Sequence, residues 1–285
     1  MARLIGCDFS SRPTARKPIV VAAGTLENGC VLLATLQRLA SLDAFGNWLA
    51  RPGDWVGAFD FPFGLPRELV LRLGWPTTWP ACMRHYAALT RAQIRDQFAA
   101  FCDGRPVGGK FAHRATDVPA GSSPSMKWVN PPVAYMLHAG VPLLVAAGVA
   151  LPGLCAGAPE DVDARGVARR VALEGYPGLL AREVLGGRSY KSDDRRKQTP
   201  QRQLHREQLL GALEAGHTRL GLRLRLDQAQ RATLANDGSG DSLDAVLCLL
   251  QAAWGAGRGG PWFGLPEALD PLEGWIVSAV HTPPR

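Results

Sequence analysis

Five acidic residues, Asp8, Asp60, Glu174, Asp241 and Asp244, stand where a folded chain would present them. The first three end apolar runs with strand character, and the last two open an amphipathic helix. Ligands of open α/β sheets lie outside the carboxyl ends of the strands. Carboxylates gathered there repel one another unless a proton or a cation offsets their charge. Oxygen donors of this kind suit Mg²⁺ or Mn²⁺, which take few protein carboxylates and keep waters or substrate phosphate as further ligands. The expected chemistry is phosphodiester hydrolysis, in which two ions about 3.5–4 Å apart activate a water and stabilise the leaving oxygen, with no side-chain nucleophile. On this reading Asp8, Asp60, Glu174 and Asp244 are catalytic, and Asp241 joins them as a metal ligand. The plainer alternative is structural: an aspartate after a strand caps the next turn, and Asp241 and Asp244 form a variant of the capping box.

Two stretches supply cations. The segment from Arg105 to Asn130, rich in Gly, Pro and Ser, carries Lys110, His113, Arg114 and Lys127. Its cations could grip phosphates and Trp128 could stack on a base, or it could be a solvated loop. Unstructured loops beyond about 12–15 residues are uncommon in compact domains, which marks this one as functional or mobile. The second stretch, Gly186 to Glu207, is strongly basic, and its Tyr190-Lys191 pair follows an acidic strand and a helix from which Lys191 could reach the carboxylates. Lys110, Arg114, Lys127, Tyr190 and Lys191 are therefore the expected substrate-binding residues.

The elements that must position these groups are legible as runs and periods. Arg3 to Phe9 reads as a buried strand with Asp8 at its end. Pro18 to Thr25 and Gly29 to Leu36 follow as two more, joined by a Glu-Asn-Gly turn. Ser41 is the expected N-cap of a short helix. Trp55 to Asp60 reads as a fourth strand, stopped by Pro62 and Gly64. A long helix-prone segment runs from Pro66 to Pro106, and Pro131 to Ala147 returns to a helical pattern. Ala168 to Glu174 is a fifth strand, followed by helices from Pro177 to Leu185 and from Gln201 to Ala215. In Asp241 to Trp254 the apolar residues Leu243, Val246, Leu247, Leu250 and Ala253 recur at helical spacing. Glu273 to Val280 is the expected closing strand. The order predicts a mixed α/β sheet covered by helices.

Composition narrows the classes. The 285 residues are 46% hydrophobic and 20% charged, ordinary for a soluble globular protein. Lys and Arg number 32 against 25 Asp and Glu, a formal charge of +7. That balance favours polyanionic partners such as nucleic acid, or reflects an arginine-rich genome. Cys7, Cys30, Cys82, Cys102, Cys155 and Cys248 form no C-x-x-C pair, and several sit in apolar runs, as expected of reduced thiols in a cytoplasmic protein. No signal peptide is expected at the N-terminus, and the longest apolar run, Val141 to Leu151, is too short for a membrane span. The six histidines form no zinc-hydrolase pattern, and no phosphate-binding P-loop occurs. Gly255 to Gly260 follows a helix instead of linking a strand to one, so it is no dinucleotide fingerprint. Ser10 and Ser11 read as a turn.

Four segments carry a resemblance: Gly6-Cys7-Asp8-Phe9-Ser10-Ser11, Phe59-Asp60-Phe61-Pro62-Phe63-Gly64-Leu65-Pro66, Glu174-Gly175-Tyr176-Pro177 and Asp241-Ser242-Leu243-Asp244-Ala245-Val246. They resemble the successive motifs of the domain of unknown function 429 family, widely held to be RNase-H-like nucleases, over most of the chain from Gly6 to about Trp275. The resemblance implies one RNase-H-like domain over residues 1–285, strand order 3-2-1-4-5, and a helical and loop insertion at 66–160 after the fourth strand. It implies neighbouring Asp8, Asp60 and Glu174, with Asp8 and Asp60 on metal-ligand positions and Asp244, or Asp241 in its place, as the late-helix ligand. Two rivals remain open: an actin-like or sugar-kinase-like phosphotransferase, which shares the Gly-x-Asp strand, and a non-catalytic nucleic-acid-binding module.

Overall fold

Alternating burial along the strands sets the architecture, which the computed structural model describes for residues 3–281. In β1 (Arg3–Asp8), Ile5 and Cys7 join one hydrophobic layer and Leu4 another. Successive side chains of a strand point to opposite faces, so both faces of this sheet are covered. β2 (Ile19–Glu27) and β3 (Cys30–Leu39) follow as antiparallel neighbours. On the other side of β1, β4 (Trp55–Phe59) and β5 (Arg170–Glu174) run parallel to it. β6 (Arg223–Arg225) pairs in parallel with β3, and the order is β5-β4-β1-β2-β3-β6.

The mixed α/β sheet is thus present, but its order differs from the expected five-strand one by the added β6. That strand is three residues with one buried side chain, Leu224, too short to show a period. The expected closing strand needs a second correction. Glu273 to Val280 meets β5 at a single bridge, Ile276 opposite Glu174. Left-handed backbone at Gly274 (φ 70°) and Ser278 (φ 68°) bends the segment away from extended pairing.

Ten α-helices are present among the described residues. α1 (Leu42–Leu49) starts where expected, with Ser41 Oγ accepting from the Ala44 N–H. Between β4 and β5 lie α2 (Arg67–Arg72), α3 (Trp79–Ala88), α4 (Arg91–Asp103), α5 (Asp117–Ala120) and α6 (Val133–Ala146). The helix-prone stretch from Pro66 is therefore three helices. It breaks after Arg72, ahead of left-handed Gly74, and again at Thr90, where a capping box with Gln93 restarts the helix. These helices cover the sheet face that carries Ile5, Cys7 and Phe59. α7 (Pro177–Leu185), α8 (Pro200–Ala215), α9 (Gln228–Asn236) and α10 (Asp241–Arg258) belong to the other face. No helix among the described residues is long and apolar enough to cross a membrane. All six cysteines are free thiols.

Helix α10 is buried almost throughout and rests directly on β1. A Cβ at Gly6 would lie 2.0 Å from the Ala245 carbonyl oxygen and 2.2 Å from the Leu249 nitrogen, both main-chain atoms that no side-chain rotation can move aside. Gly6→Ala is therefore expected to destabilise the protein by about 3 kcal/mol or more, since the overpacking is against backbone. Gly211→Ala, in open space on α8, is expected to stabilise by about 0.5–1 kcal/mol. Urea unfolding of both variants checks this; a Gly6→Ala protein as stable as the parent would mean that α10 does not sit on β1 as described.

Candidate metal centre

Strand parity and one helix bring three carboxylates together. Cys7 of β1 lies opposite Phe59 of β4, which lies opposite Glu174 of β5. One residue further on, Asp8 and Asp60 turn to the opposite face, the one that Leu4 and Ala58 share with α10. The Asp60 N–H still donates to the Cys7 carbonyl at 2.9 Å, which fixes its position just past the end of β4. α10 then carries Asp244 across the strand ends. Asp8, Asp60 and Asp244 each offer a carboxylate oxygen, and all three atoms lie within 4.8 Å of one another. Ligand bonds of about 2.0–2.6 Å to a Mg²⁺, Mn²⁺ or Ca²⁺ ion can span such a spacing.

The capping alternative for the helix acids does not hold. The N-cap is Gly240 (φ 78°), a left-handed position that suits glycine, and its missing side chain makes room for the stem of Lys191. Asp237 Oδ2 accepts from the Ser242 N–H at 3.0 Å and relieves the exposed amides of that turn. Asp241 and Asp244 are left free to pair with lysines and stay buried. Asp241 Oδ1 accepts from Lys17 Nζ at 2.9 Å. Asp244 is fully buried and accepts from both the Tyr190 hydroxyl and Lys191 Nζ. The expected reach of Tyr190-Lys191 toward the carboxylates is thus made through Asp244.

Among the described residues no protein donor reaches the Asp8 or Asp60 carboxylate. Burial, followed by the charges of Asp244, Asp241 and Asp60, pushes Asp8 well above the usual carboxylate range, against the opposing pull of Lys191. Burial raises Asp60 to about 7, with Lys191 opposing and Asp244 and Glu174 reinforcing the shift. Burial raises Asp244 too, against the pull of Lys191 and Tyr190. For Lys191 itself burial works against the charge, but Asp244, Tyr190 and Asp8 together hold its ammonium well above the usual lysine value. The cluster is therefore short of positive charge by more than one lysine supplies.

Glu174 lies outside this group of three but lines the same cavity as Asp8 and Asp60. Its register with Phe59 turns it to the face of the helices between β4 and β5. There its two oxygens accept from Arg114 at 2.6 and 2.8 Å, and Oε2 also takes the Phe63 N–H at 2.9 Å. Arg114, expected on an open loop, is 2% exposed and donates from Nε, Nη1 and Nη2 to Asp117, Glu174 and the Glu273 carbonyl. It is a buried clamp with no donor left over for a phosphate. The same clamp fixes the Arg105–Asn130 segment, which is anchored instead of loose.

A cavity of ≈ 500 Å³ opens onto Asp8 and Asp60, with Asp244 buried behind them, and is walled by Phe9, Ser10, Lys17, Pro132, Tyr176 and Lys191 among others. Lys110 is exposed and Lys127 half-buried, and neither lines this cavity. Trp128 packs edge-on against Phe111 and near Phe98, so it is part of the aromatic core and not a base platform. Sequence reasoning missed Lys17, which bridges Asp241 and Asp193 across the mouth. Its only signal was a place in the short loop after the Asp8 strand.

The raised Asp60 has a consequence for stability in the absence of a divalent cation. Its folded-state pKa of about 7 lies above the roughly 3.9 of an unfolded aspartate, so between these values the native state binds more protons. The stability this group lends is present below pH ~4 and lost as pH rises through ~7. In chelator, melting by calorimetry should show a parent protein that weakens from pH 5 to pH 8 and an Asp60→Asn variant that weakens less; identical slopes would refute the assignment. The chain matches no protein family, no curated protein and no solved structure, so the reading of this cavity rests on its own side chains.

Proposed function

We propose that the protein is a metal-dependent phosphodiester hydrolase, a nuclease of RNase-H-like architecture, acting at the Asp8–Asp60–Asp244 cluster. The observation that carries this reading is the meeting of three carboxylates from β1, β4 and α10 within 4.8 Å, at the carboxyl end of parallel strands, without enough protein cations to balance them. The RNase-H-like reading is supported by β1, β4 and β5 lying side by side with the β2–β3 hairpin beyond β1, and by the resemblance of four segments to motifs of the domain of unknown function 429 family; β6 is an addition to that plan.

Asp8, Asp60 and Asp244 would hold Mg²⁺ or Mn²⁺, with Asp241 alongside. When bound, such a cation supplies positive charge to a phosphate group and to an attacking water. Lys191 keeps Asp244 oriented and its ammonium stands beside the cluster, where it would also meet a phosphate oxygen. Tyr190 holds Asp244 from the buried side. Glu174 acts at one remove, by fixing Arg114 and with it the cavity wall. A nucleic-acid partner agrees with the basic balance of the chain.

Asp8→Asn and Asp60→Asn should each abolish Mn²⁺- or Mg²⁺-dependent cleavage of nucleic acid and lower the heat of Mn²⁺ binding in calorimetric titration, with the circular dichroism spectrum unchanged. Parent-like cleavage by both variants would remove the proposal. Metal-dependent ATP hydrolysis without strand cleavage would replace it with a phosphotransferase.

A further inference from the structure

The carboxylate cavity does not end in a closed wall. On one side it runs into a second cavity of ≈ 490 Å³, the two sharing Ser10, Ser11 and Pro132. On the other it runs into a third of ≈ 340 Å³, shared at Asp60, Tyr176 and Lys191. The centre is acidic, and both flanks are basic. Arg12 and Arg91 line the first flank, Arg182 and Arg188 the second.

None of these four arginines is paired with a carboxylate among the described residues. Arg91 donates to the Ser11 carbonyl at 2.8 Å. Arg182 donates to the Ala120 carbonyl and the Tyr176 hydroxyl, and Arg188 to the Leu185 carbonyl. Arg12 and Arg91 line the same cavity, and burial followed by the Arg12 charge pulls Arg91 below its ordinary value. Each flank also carries a half-buried tyrosine beneath an arginine: Arg91 lies 4.8 Å from the centre of the Tyr135 ring, and Arg182 lies 5.2 Å from that of Tyr176. Unpaired arginines beside aromatic rings along a groove are how proteins track a single strand, cations on the phosphates and rings against the bases. In a duplex the bases stack on one another and are not available to such rings.

We infer that one strand of nucleic acid crosses the carboxylates from the Arg12–Arg91 flank to the Arg182–Arg188 flank, its phosphates held on both sides and its bases near Tyr135 and Tyr176. The inference deepens the hydrolase reading and rests on it for the scission, which would then fall inside a strand and not at its end. Binding along the groove does not depend on that reading.

The test separates the two. Fluorescence anisotropy in chelator, with single-stranded DNA and RNA of about 20 nucleotides, measures the groove alone. Arg12→Glu and Arg188→Glu alter exposed side chains on opposite flanks. Each should weaken binding about tenfold, and for every phosphate no longer neutralised the dependence of log affinity on log salt should flatten by about 0.7. Comparison of the DNA and RNA arms shows which strand is preferred. If either variant binds as the parent does while melting at the same temperature, the crossing track is wrong. With Mn²⁺ added, a covalently closed single-stranded circle should be cut; shortening of linear strands with circles left intact also overturns the inference. Binding that depends on both flanks with no cleavage of any strand would uphold the track and take down the hydrolase reading.

Discussion

Helix α10 meets β1 backbone to backbone at Gly6, and the site depends on that approach. A side chain there would push the helix outward, and Asp244 would no longer lie across the ends of β1 and β4. The same approach buries nearly every side chain in the first three turns of α10, including two aspartates. Gly240 begins the helix in a left-handed turn and leaves room for Lys191 against it, so the lysine reaches Asp244 from outside while Tyr190 reaches it from within.

What this packing creates is an electrostatic imbalance at fixed positions. Three carboxylates are held within a few ångströms of one another where solvent reaches them poorly, and Lys191 satisfies one of them. Folding tolerates such an arrangement because apolar contacts elsewhere in the sheet and its two covering layers outweigh it. Preorganised groups of this kind fit a partner that brings positive charge, since the cost of gathering the acids is met in folding and not at binding. Arg114, Asp117 and Glu174 show the opposite solution a few residues away. There two acids share one guanidinium with every N–H engaged, and the result is a fixed wall.

Much of this was legible in the sequence. The apolar runs ending at Asp8 and Asp60 and the helical period after Asp241 placed the three elements that supply the cluster. The face that Glu174 takes was not legible, because the end of a strand is easier to read than its parity: with no marker of register, one residue decides which face a side chain takes. Arg114 misled because its loop is polar in composition, and only tertiary contact reveals that Glu174 and Glu273 draw it inside. α9 could have been found from Asp227 and Gln230, which form its capping box. Lys17 and the flanking arginines carry no local pattern, because their meaning lies in which distant segments adjoin them.

The parity of β5 also sets how many acids the face toward α10 carries. Gly175 occupies the position in line with Asp60, and a Cβ there would already lie 3.1 Å from Cys248 Sγ and 3.2 Å from the Phe59 nitrogen. A one-residue deletion or insertion in that strand would aim Glu174 at the crowded side, strip Arg114 of its partner and press a long side chain into α10. The connection before β5 can therefore change in length, but the strand must keep its count for the three acids to stay alone on that face.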